Sequence, residues 1–246
     1  MVGPPTTPSF DIQHEAPTTT LVAGFAEFGL AGLTAANYIT ETLELERTGH
    51  ISVEQLPAVT PFEDGTPRHH TRLFSRADLD ITVVVGELFV PPYAAEPFGN
   101  ALLEYTDEHG VEEVVVLSGV PIQHGPDDHR PFYIASEDYQ SARLDGDHDI
   151  TAMPGGFLDG INGELMERAV DSTLKTCVLT TPVHPQAPDI DAALRLVGAL
   201  DSIYHLDIDT GPLEEFAETL SKQYEELAAR LEAQREEMRP EDRMYM

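Results

Sequence analysis

Three glycines, Gly24, Gly29 and Gly32, follow a predicted strand at residues 20–24 and open a predicted helix. A glycine-rich turn between a strand and a helix is where dinucleotide-binding proteins hold a pyrophosphate. Here the glycines are five and then three residues apart, which differs from that motif. Glu27 would also place a negative charge where the phosphate would bind. We therefore interpret the glycines as structural: Gly24 makes the turn, and Gly29 and Gly32 allow close helix packing.

The ten histidines include two groups whose side chains could bind a metal. His69 and His70 are adjacent, and His124 and His129 flank a stretch that contains two aspartates. Imidazole and carboxylate are zinc ligands, but neither group has the i, i+4 spacing that puts two ligands on one face of a helix. Both groups lie in polar segments, so we expect solvated loop residues and no metal site.

The sequence contains no motif of a catalytic nucleophile. It has neither a Gly-x-Ser-x-Gly elbow nor a phosphate-binding loop. Ser118 and Gly119 follow a predicted strand and are interpreted as an ordinary turn. Cys177 is the only cysteine and lies in an apolar run, which favours a buried, inert thiol. We expect no catalytic residue and no cofactor.

The last three residues, Met244, Tyr245 and Met246, form the pattern hydrophobic–tyrosine–any residue. They follow Pro240, which ends a predicted helix, and the polar stretch 241–243. A pattern this short arises by chance in about one chain in a hundred. A frayed tail, however, has no need to expose apolar and tyrosine side chains to water. We interpret the three residues as a partner-binding segment on a flexible tail.

Charge is the most extreme property of the composition. Aspartate and glutamate number 44, lysine and arginine 14, and the formal net charge is −30. Lysine occurs only at Lys175 and Lys222. Such a charge disfavours binding to nucleic acid and to anionic membranes. Acid-rich, lysine-poor surfaces resemble those of proteins from cells with molar internal salt, where about 1 M salt shortens the Debye length to about 3 Å. We therefore expect a halophilic protein whose charge is an adaptation to its environment rather than a binding site.

Strands and helices alternate along most of the chain. Apolar, β-prone runs at 20–24, 81–85, 113–117 and 174–180 predict buried strands, and residues 71–74 predict an edge strand. Amphipathic segments predict helices at 28–46, 97–109, 158–169 and 189–203, the last of them capped by Asp189. This alternation indicates an α/β fold, a three-layer αβα sandwich with a mostly parallel sheet.

Four regions are expected along the chain. Residues 1–17 are rich in proline and threonine and lack the features of a secretory signal, so we expect a disordered arm. Residues 18–210 form the α/β domain. Residues 211–239 form a helix whose apolar side chains recur at heptad-like spacing, and residues 240–246 form the flexible tail. No apolar run approaches the length of about 20 residues that spans a bilayer, so we expect a cytoplasmic protein.

Several stretches, taken in order, resemble the archaeal and eukaryotic proteasome assembly chaperone family, in particular the branch of the second chaperone. The resemblance extends over residues 18–235 and rests on the stretches 21–25, 63–65, 72–74, 80–87, 113–121 and 154–156. It implies a phosphorylase/hydrolase-like α/β fold with no known catalytic machinery. It also implies a homo-oligomer that binds proteasome α subunits or the 20S α-ring.

The resemblance assigns a role to the chain end. It implies that the Met246 carboxylate meets a basic residue in a pocket between adjacent α subunits. Tyr245 would add apolar area and a hydroxyl hydrogen bond, and Met244 would fill a neighbouring apolar niche. The acidic pair Glu241 and Asp242 and the terminal methionine depart from the pattern expected beside a basic pocket.

Two alternatives stay open from the residues. The first is a nucleotide- or nucleoside-binding enzyme of phosphorylase-like fold that uses the cleft beside residues 24–32. The second is an adaptor that binds a partner through the apolar stripe of its C-terminal helix.

Overall fold

The computed structural model describes residues 7–220 and 222, apart from residues 124, 126, 127, 147, 148 and 186. The chain divides after Asp209 into two units. The first unit contains the sheet and the helices described below. In the second unit, residues 211–220 are helical.

The described part of the first unit contains eleven strands and five α-helices. The strands are β1 (Ser9–His14), β2 (Thr20–Phe25), β3 (Glu46–Glu54), β4 (Phe62–Glu63), β5 (Thr66–Pro67), β6 (Thr71–Arg76), β7 (Ile81–Gly86), β8 (Glu113–Val120), β9 (Phe132–Ala135), β10 (Thr151–Ala152) and β11 (Lys175–Pro182). The helices are α1 (Ala31–Thr42), α2 (Pro92–His109), α3 (Glu137–Tyr139), α4 (Gly160–Val170) and α5 (Ile190–Tyr204).

Nine of these strands form one mixed sheet in the order β1-β3-β6-β7-β2-β8-β11-β9-β10. The four central strands β7, β2, β8 and β11 are parallel. Their sequences are almost continuously apolar and buried, as expected for strands covered on both faces. Helices α1 and α5 contact each other on one face, and α2 and α4 contact each other on the other. The predicted three-layer αβα sandwich is confirmed.

Two helix boundaries illustrate the local rules. The Asp189 side chain accepts a hydrogen bond from the Ala192 backbone N–H at 2.9 Å, which confirms the predicted cap of α5. Helix α2 begins at Pro92, five residues before the predicted start, and contains Pro97 in its interior. The prediction was wrong because a proline is typical of a helix start, and here Pro92 rather than Pro97 occupies that position.

The predicted disordered arm is wrong for residues 9–14, which form β1 and pair antiparallel with β3. Phe10 and Ile12 alternate with polar residues and pack against the core, so the period-2 signal of a strand outweighs the proline- and threonine-rich surroundings. Because β1 and β3 extend the sheet beyond β6, the predicted edge strand at 71–74 is an internal strand.

Cys177 is buried in β11, as predicted, and burial raises the pKa of its thiol. None of the described helices is both long enough and apolar enough to cross a membrane.

Candidate functional site

Close backbone packing joins α1 to the centre of the sheet. A Cβ atom on Gly24 would lie 2.0 Å from the Gly32 carbonyl oxygen, and one on Gly32 would lie 1.9 Å from the Leu117 carbonyl oxygen. Gly29 has a φ of +64°, in the left-handed region that favours glycine. The predicted roles of Gly24 and Gly29 are therefore exchanged: Gly29 makes the turn, and Gly24 and Gly32 allow the close approach.

A cleft of about 1090 Å³ opens at the carboxyl ends of the parallel strands. Residues 26–30 after β2, residues 118–122 at the end of β8 and residues 155–162 leading into α4 line it. The carboxyl edge of a parallel sheet is where α/β proteins bind ligands, because the loops there converge from several strands. We call this feature the carboxyl-edge cleft.

A group of three polar side chains lies in the wall of this cleft. The Ser118 hydroxyl donates a hydrogen bond to Glu27 Oε2 at 2.8 Å. Asn162 Nδ2 lies 3.3 Å from the same oxygen and 3.1 Å from Ser118 Oγ. Glu27 follows β2, Ser118 belongs to β8 and Asn162 belongs to the first turn of α4. We call the three residues the carboxyl-edge triad.

The environment of the triad disfavours a negative charge on Glu27. Burial raises the pKa of Glu27, and the nearby Asp159 carboxylate raises it further, while the hydrogen bonds from Ser118 and Asn162 oppose the shift. Glu27 and Asp159 are the ionisable residues among the described residues that line the cleft, and both are acidic, so any charge on the lining is negative.

One atom of the triad has no partner. Asn162 is only 7% exposed, and its Oδ1 atom makes no hydrogen bond within the described part of the chain. A buried acceptor without a donor costs free energy. Because Oδ1 is itself inaccessible, the amide contributes to the cleft wall through its Nδ2 donor.

Exposed apolar side chains surround the mouth of the cleft. Phe28, Phe89 and Phe157 are 58%, 63% and 104% exposed, and Leu30 and Ile122 are also exposed. A concentration of exposed apolar side chains around one opening marks a binding surface rather than ordinary surface variation. We call these five residues the apolar rim.

The sequence prediction located only part of this site. Gly24, Gly29 and Gly32 build the edge, whereas Met244, Tyr245 and Met246 lie outside the described residues. Ser118 was interpreted as an ordinary turn, yet it contacts Glu27. Its position at the carboxyl end of a buried strand was the available signal.

The structure describes the first histidine group, His69 and His70, and only part of the second. His69 stacks on His50 with ring centroids 3.6 Å apart, and His124 lies outside the described residues. Among the described residues, no three metal-ligating side chains are grouped closely enough to hold an ion.

Comparison with known sequences identifies the family. Residues 21–228 match the PAC2 family. The chain belongs to the PAC2 family. An uncharacterised protein of Methanocaldococcus jannaschii is 22% identical over 235 residues, which cover 96% of this chain and 95% of that protein.

Two solved structures from Pyrococcus furiosus share the fold. Pyrococcus furiosus PbaA, described as an archaeal homolog of proteasome-assembly chaperone, superposes with a TM-score of 0.82 at 22% identity, covering 94% of this chain and 96% of PbaA. Pyrococcus furiosus PbaB, described as an archaeal proteasome activator, superposes with a TM-score of 0.74 at 19% identity, covering 92% of this chain and 99% of PbaB. At these identities the two structures support the fold.

Proposed function

We propose that this protein is a non-catalytic chaperone of proteasome assembly that acts in the cytoplasm. The observation that carries the proposal is membership of the PAC2 family together with a fold that matches PbaA, a homolog of proteasome-assembly chaperone, over 94% of the chain. The similarity to PbaB, a proteasome activator, supports the same class of partner. The proposed partners are proteasome α subunits, free or within the 20S α-ring.

The proposed contact is made by the C-terminal segment Met244, Tyr245 and Met246. Tyr245 and Met244 would bury apolar area in the α-ring, and the Met246 carboxylate would meet a basic residue there. A three-residue anchor binds weakly by itself, at about mM to μM dissociation constants. A homo-oligomer that presents several tails gains affinity through effective concentration, so oligomerisation is part of the proposed mechanism.

A pull-down with purified α subunits tests this contact. The full chain is compared with a chain lacking residues 241–246 and with the Tyr245→Ala and Tyr245→Phe variants. We expect the deletion to abolish capture, Tyr245→Ala to weaken it by about tenfold, and Tyr245→Phe to retain most of it because the ring is kept. Full capture by the truncated chain would instead favour the helix at 211–239 as the binding element.

The salt dependence separates the two parts of the anchor. High salt screens the carboxylate contact but strengthens apolar burial. In molar salt we therefore expect Tyr245→Ala to weaken capture more than amidation of the C-terminus does. Equal losses at both ends of a salt titration would contradict the proposed apolar anchor.

A further inference from the structure

We propose that the carboxyl-edge cleft binds a small organic cation: an apolar molecule that carries a protonated amine held by the Glu27 carboxylate. This site is separate from the proposed contact with proteasome subunits, and neither proposal depends on the other.

The charge of the cleft selects the head group. Glu27 receives hydrogen bonds from Ser118 and Asn162, which are neutral, and takes part in none of the ion pairs found among the described residues. Asp159 adds a second negative charge to the same lining. An ammonium group would supply the missing counter-charge, whereas a phosphate or carboxylate would be repelled.

The amide of Asn162 positions the Glu27 carboxylate. Its Nδ2 atom lies 3.3 Å from Glu27 Oε2, the oxygen that also accepts the hydrogen bond from Ser118. Among the described residues, no side chain donates to the other carboxylate oxygen, Glu27 Oε1. An ammonium group carries three N–H donors and can donate to that oxygen.

The remaining lining selects an apolar body. The side chains of Val120, Ile134 and Val178 line the cleft, and Phe157 of the apolar rim stands at its mouth. The volume of about 1090 Å³ slightly exceeds the range of about 300–1,000 Å³ that is typical of clefts for drug-sized molecules, so such a molecule has room to enter. Apolar surface provides affinity in such a pocket, and a few polar groups fix the orientation.

Calorimetric titration of the full chain with three probes of equal length tests the inference. The probes are 1-octylamine, 1-octanol and octanoate, used at neutral pH. We expect octylamine to bind at least about tenfold more tightly than octanoate, with octanol between them, because a hydrogen-bonded charge pair contributes more than a neutral contact. Octanoate binding as tightly as octylamine would overturn the proposal.

Two matched variants separate the site from general attraction to an acidic protein. Glu27→Gln and Glu167→Gln each remove one negative charge, but Glu167 is an exposed residue of α4 that does not line the cleft. Glu27→Gln should lower octylamine affinity by about tenfold or more and leave octanol affinity within about twofold. Glu167→Gln should leave both unchanged. Equal losses in the two variants would show non-specific binding and overturn the proposal.

A rim variant provides a readout that does not rely on the folding of a triad variant. Phe157 is fully exposed, so Phe157→Ser should leave the fold intact, as circular dichroism would show. It should lower the affinities of octylamine and octanol by a similar factor of about two to five, since it removes apolar contact only. Unchanged octylamine affinity in this variant would place the binding elsewhere and contradict the assignment.

Discussion

Two carboxylates, the partly buried Glu27 and the buried Glu113, lie at opposite ends of the central parallel strands. Glu113 begins β8 and is 4% exposed. Its oxygens contact Arg143 Nε at 2.9 Å, Lys175 Nζ at 3.4 Å and the Tyr204 hydroxyl at 3.0 Å. Glu27 follows β2 and is hydrogen-bonded only to neutral side chains within the described part of the chain.

The two carboxylates differ in whether the fold itself compensates their charge, and this distinguishes a structural charge from one available to a ligand. Glu113 has two cations and a hydroxyl around it, so its charge is compensated inside the fold. Glu27 is partly buried beside an open cleft, and this desolvation raises its pKa. Among the described residues no cation pairs with Glu27, so its charge is left for a ligand to compensate. The buried charge at the amino end of the parallel strands is therefore compensated within the protein, and the charge at the carboxyl end is not.

The largest expected loss of stability is at Glu113. Glu113→Gln should destabilise the protein by about 2–4 kcal/mol, because it removes the buried carboxylate between Arg143 and Lys175, two cations that are themselves 35% and 29% exposed. Chemical unfolding in urea, monitored by circular dichroism, measures this loss. Glu112→Gln, at the exposed neighbouring carboxylate, is the matched control and should change stability by less than about 1 kcal/mol.

The same substitution at Glu27, at the carboxyl end of the parallel strands, is the second test of the comparison. Glu27→Gln keeps an acceptor for Ser118 and removes the cost of a buried charge, so stability should change by less than about 1 kcal/mol in either direction. If Glu27→Gln proved as destabilising as Glu113→Gln, the two ends would be equally structural and the contrast between them would fail.

The close packing that shapes the carboxyl end should be sensitive to one methyl group. Gly32→Ala would place a Cβ atom 1.9 Å from the Leu117 carbonyl oxygen, so α1 or β8 must shift, and we expect a loss of about 1–3 kcal/mol. Gly198→Ala, within α5, meets nothing within 4 Å and should be neutral or stabilising by up to about 1 kcal/mol. Thermal unfolding of both variants measures the difference, and equal melting temperatures would contradict the packing argument.

His14 of β1 is a third ionisable group whose hydrogen-bond partners are neutral. Its charged form is a cation, so burial should shift its pKa in the opposite direction to that of a carboxylate. Its ring nitrogens contact the hydroxyls of Tyr105, Thr48 and Ser75. Burial and, to a smaller extent, the charge of His109 lower the pKa of His14 to about 4. The unfolded chain, with a histidine pKa of about 6.5, binds the proton first as the pH falls. Stability is therefore lost from about pH 6.5 down to about pH 4.

The size of this pH effect is measured against a variant. Between pH 7.5 and pH 5 the wild type should lose about 1 kcal/mol more than His14→Gln, a value reduced for the partial exposure of the ring. Urea unfolding at the two pH values measures this double difference and cancels the shared titration of the carboxylates. Identical pH slopes in the two proteins would show that His14 is not held neutral by the fold.

The smallest expected effect on stability is at the apolar rim. Phe157→Ser should change the free energy of unfolding by less than about 0.5 kcal/mol, because an exposed side chain has little packing to lose. A larger loss of unfolding free energy in urea would mean that Phe157 stabilises the fold. The apolar rim would then be a structural feature rather than a binding surface.

The sequence was sufficient for the layers of the fold. The apolar runs of β2, β7, β8 and β11 and the capped helix α5 follow from periodicity and capping, which are local rules. The sequence did not predict strand β1, because the proline- and threonine-rich composition of residues 1–17 was given more weight than the short alternation of apolar and polar residues at 9–14. The small-residue requirement at Gly24 and Gly32 was visible, but which glycine makes the turn depends on φ, which spacing does not determine.

The carboxyl-edge triad could not be predicted in the same way. Asn162 lies 135 residues from Glu27 in the chain, and Ser118 lies 91 residues from it. These side chains meet because β2 and β8 are neighbours in the sheet and α4 packs against β11, the strand next to β8, and strand order is not a local property. Asn162 carried no signal in the sequence that would distinguish it from any other helical asparagine.

The proposed role in proteasome assembly is tested most directly by α-ring formation. A proteasome α subunit is co-expressed with and without this chain, and the fraction of subunits in rings is measured by native mass spectrometry. We predict that the full chain increases the ring fraction and is captured in complexes with α subunits, and that the chain lacking residues 241–246 does neither. An unchanged ring fraction, with no complex between the full chain and α subunits, would contradict the account.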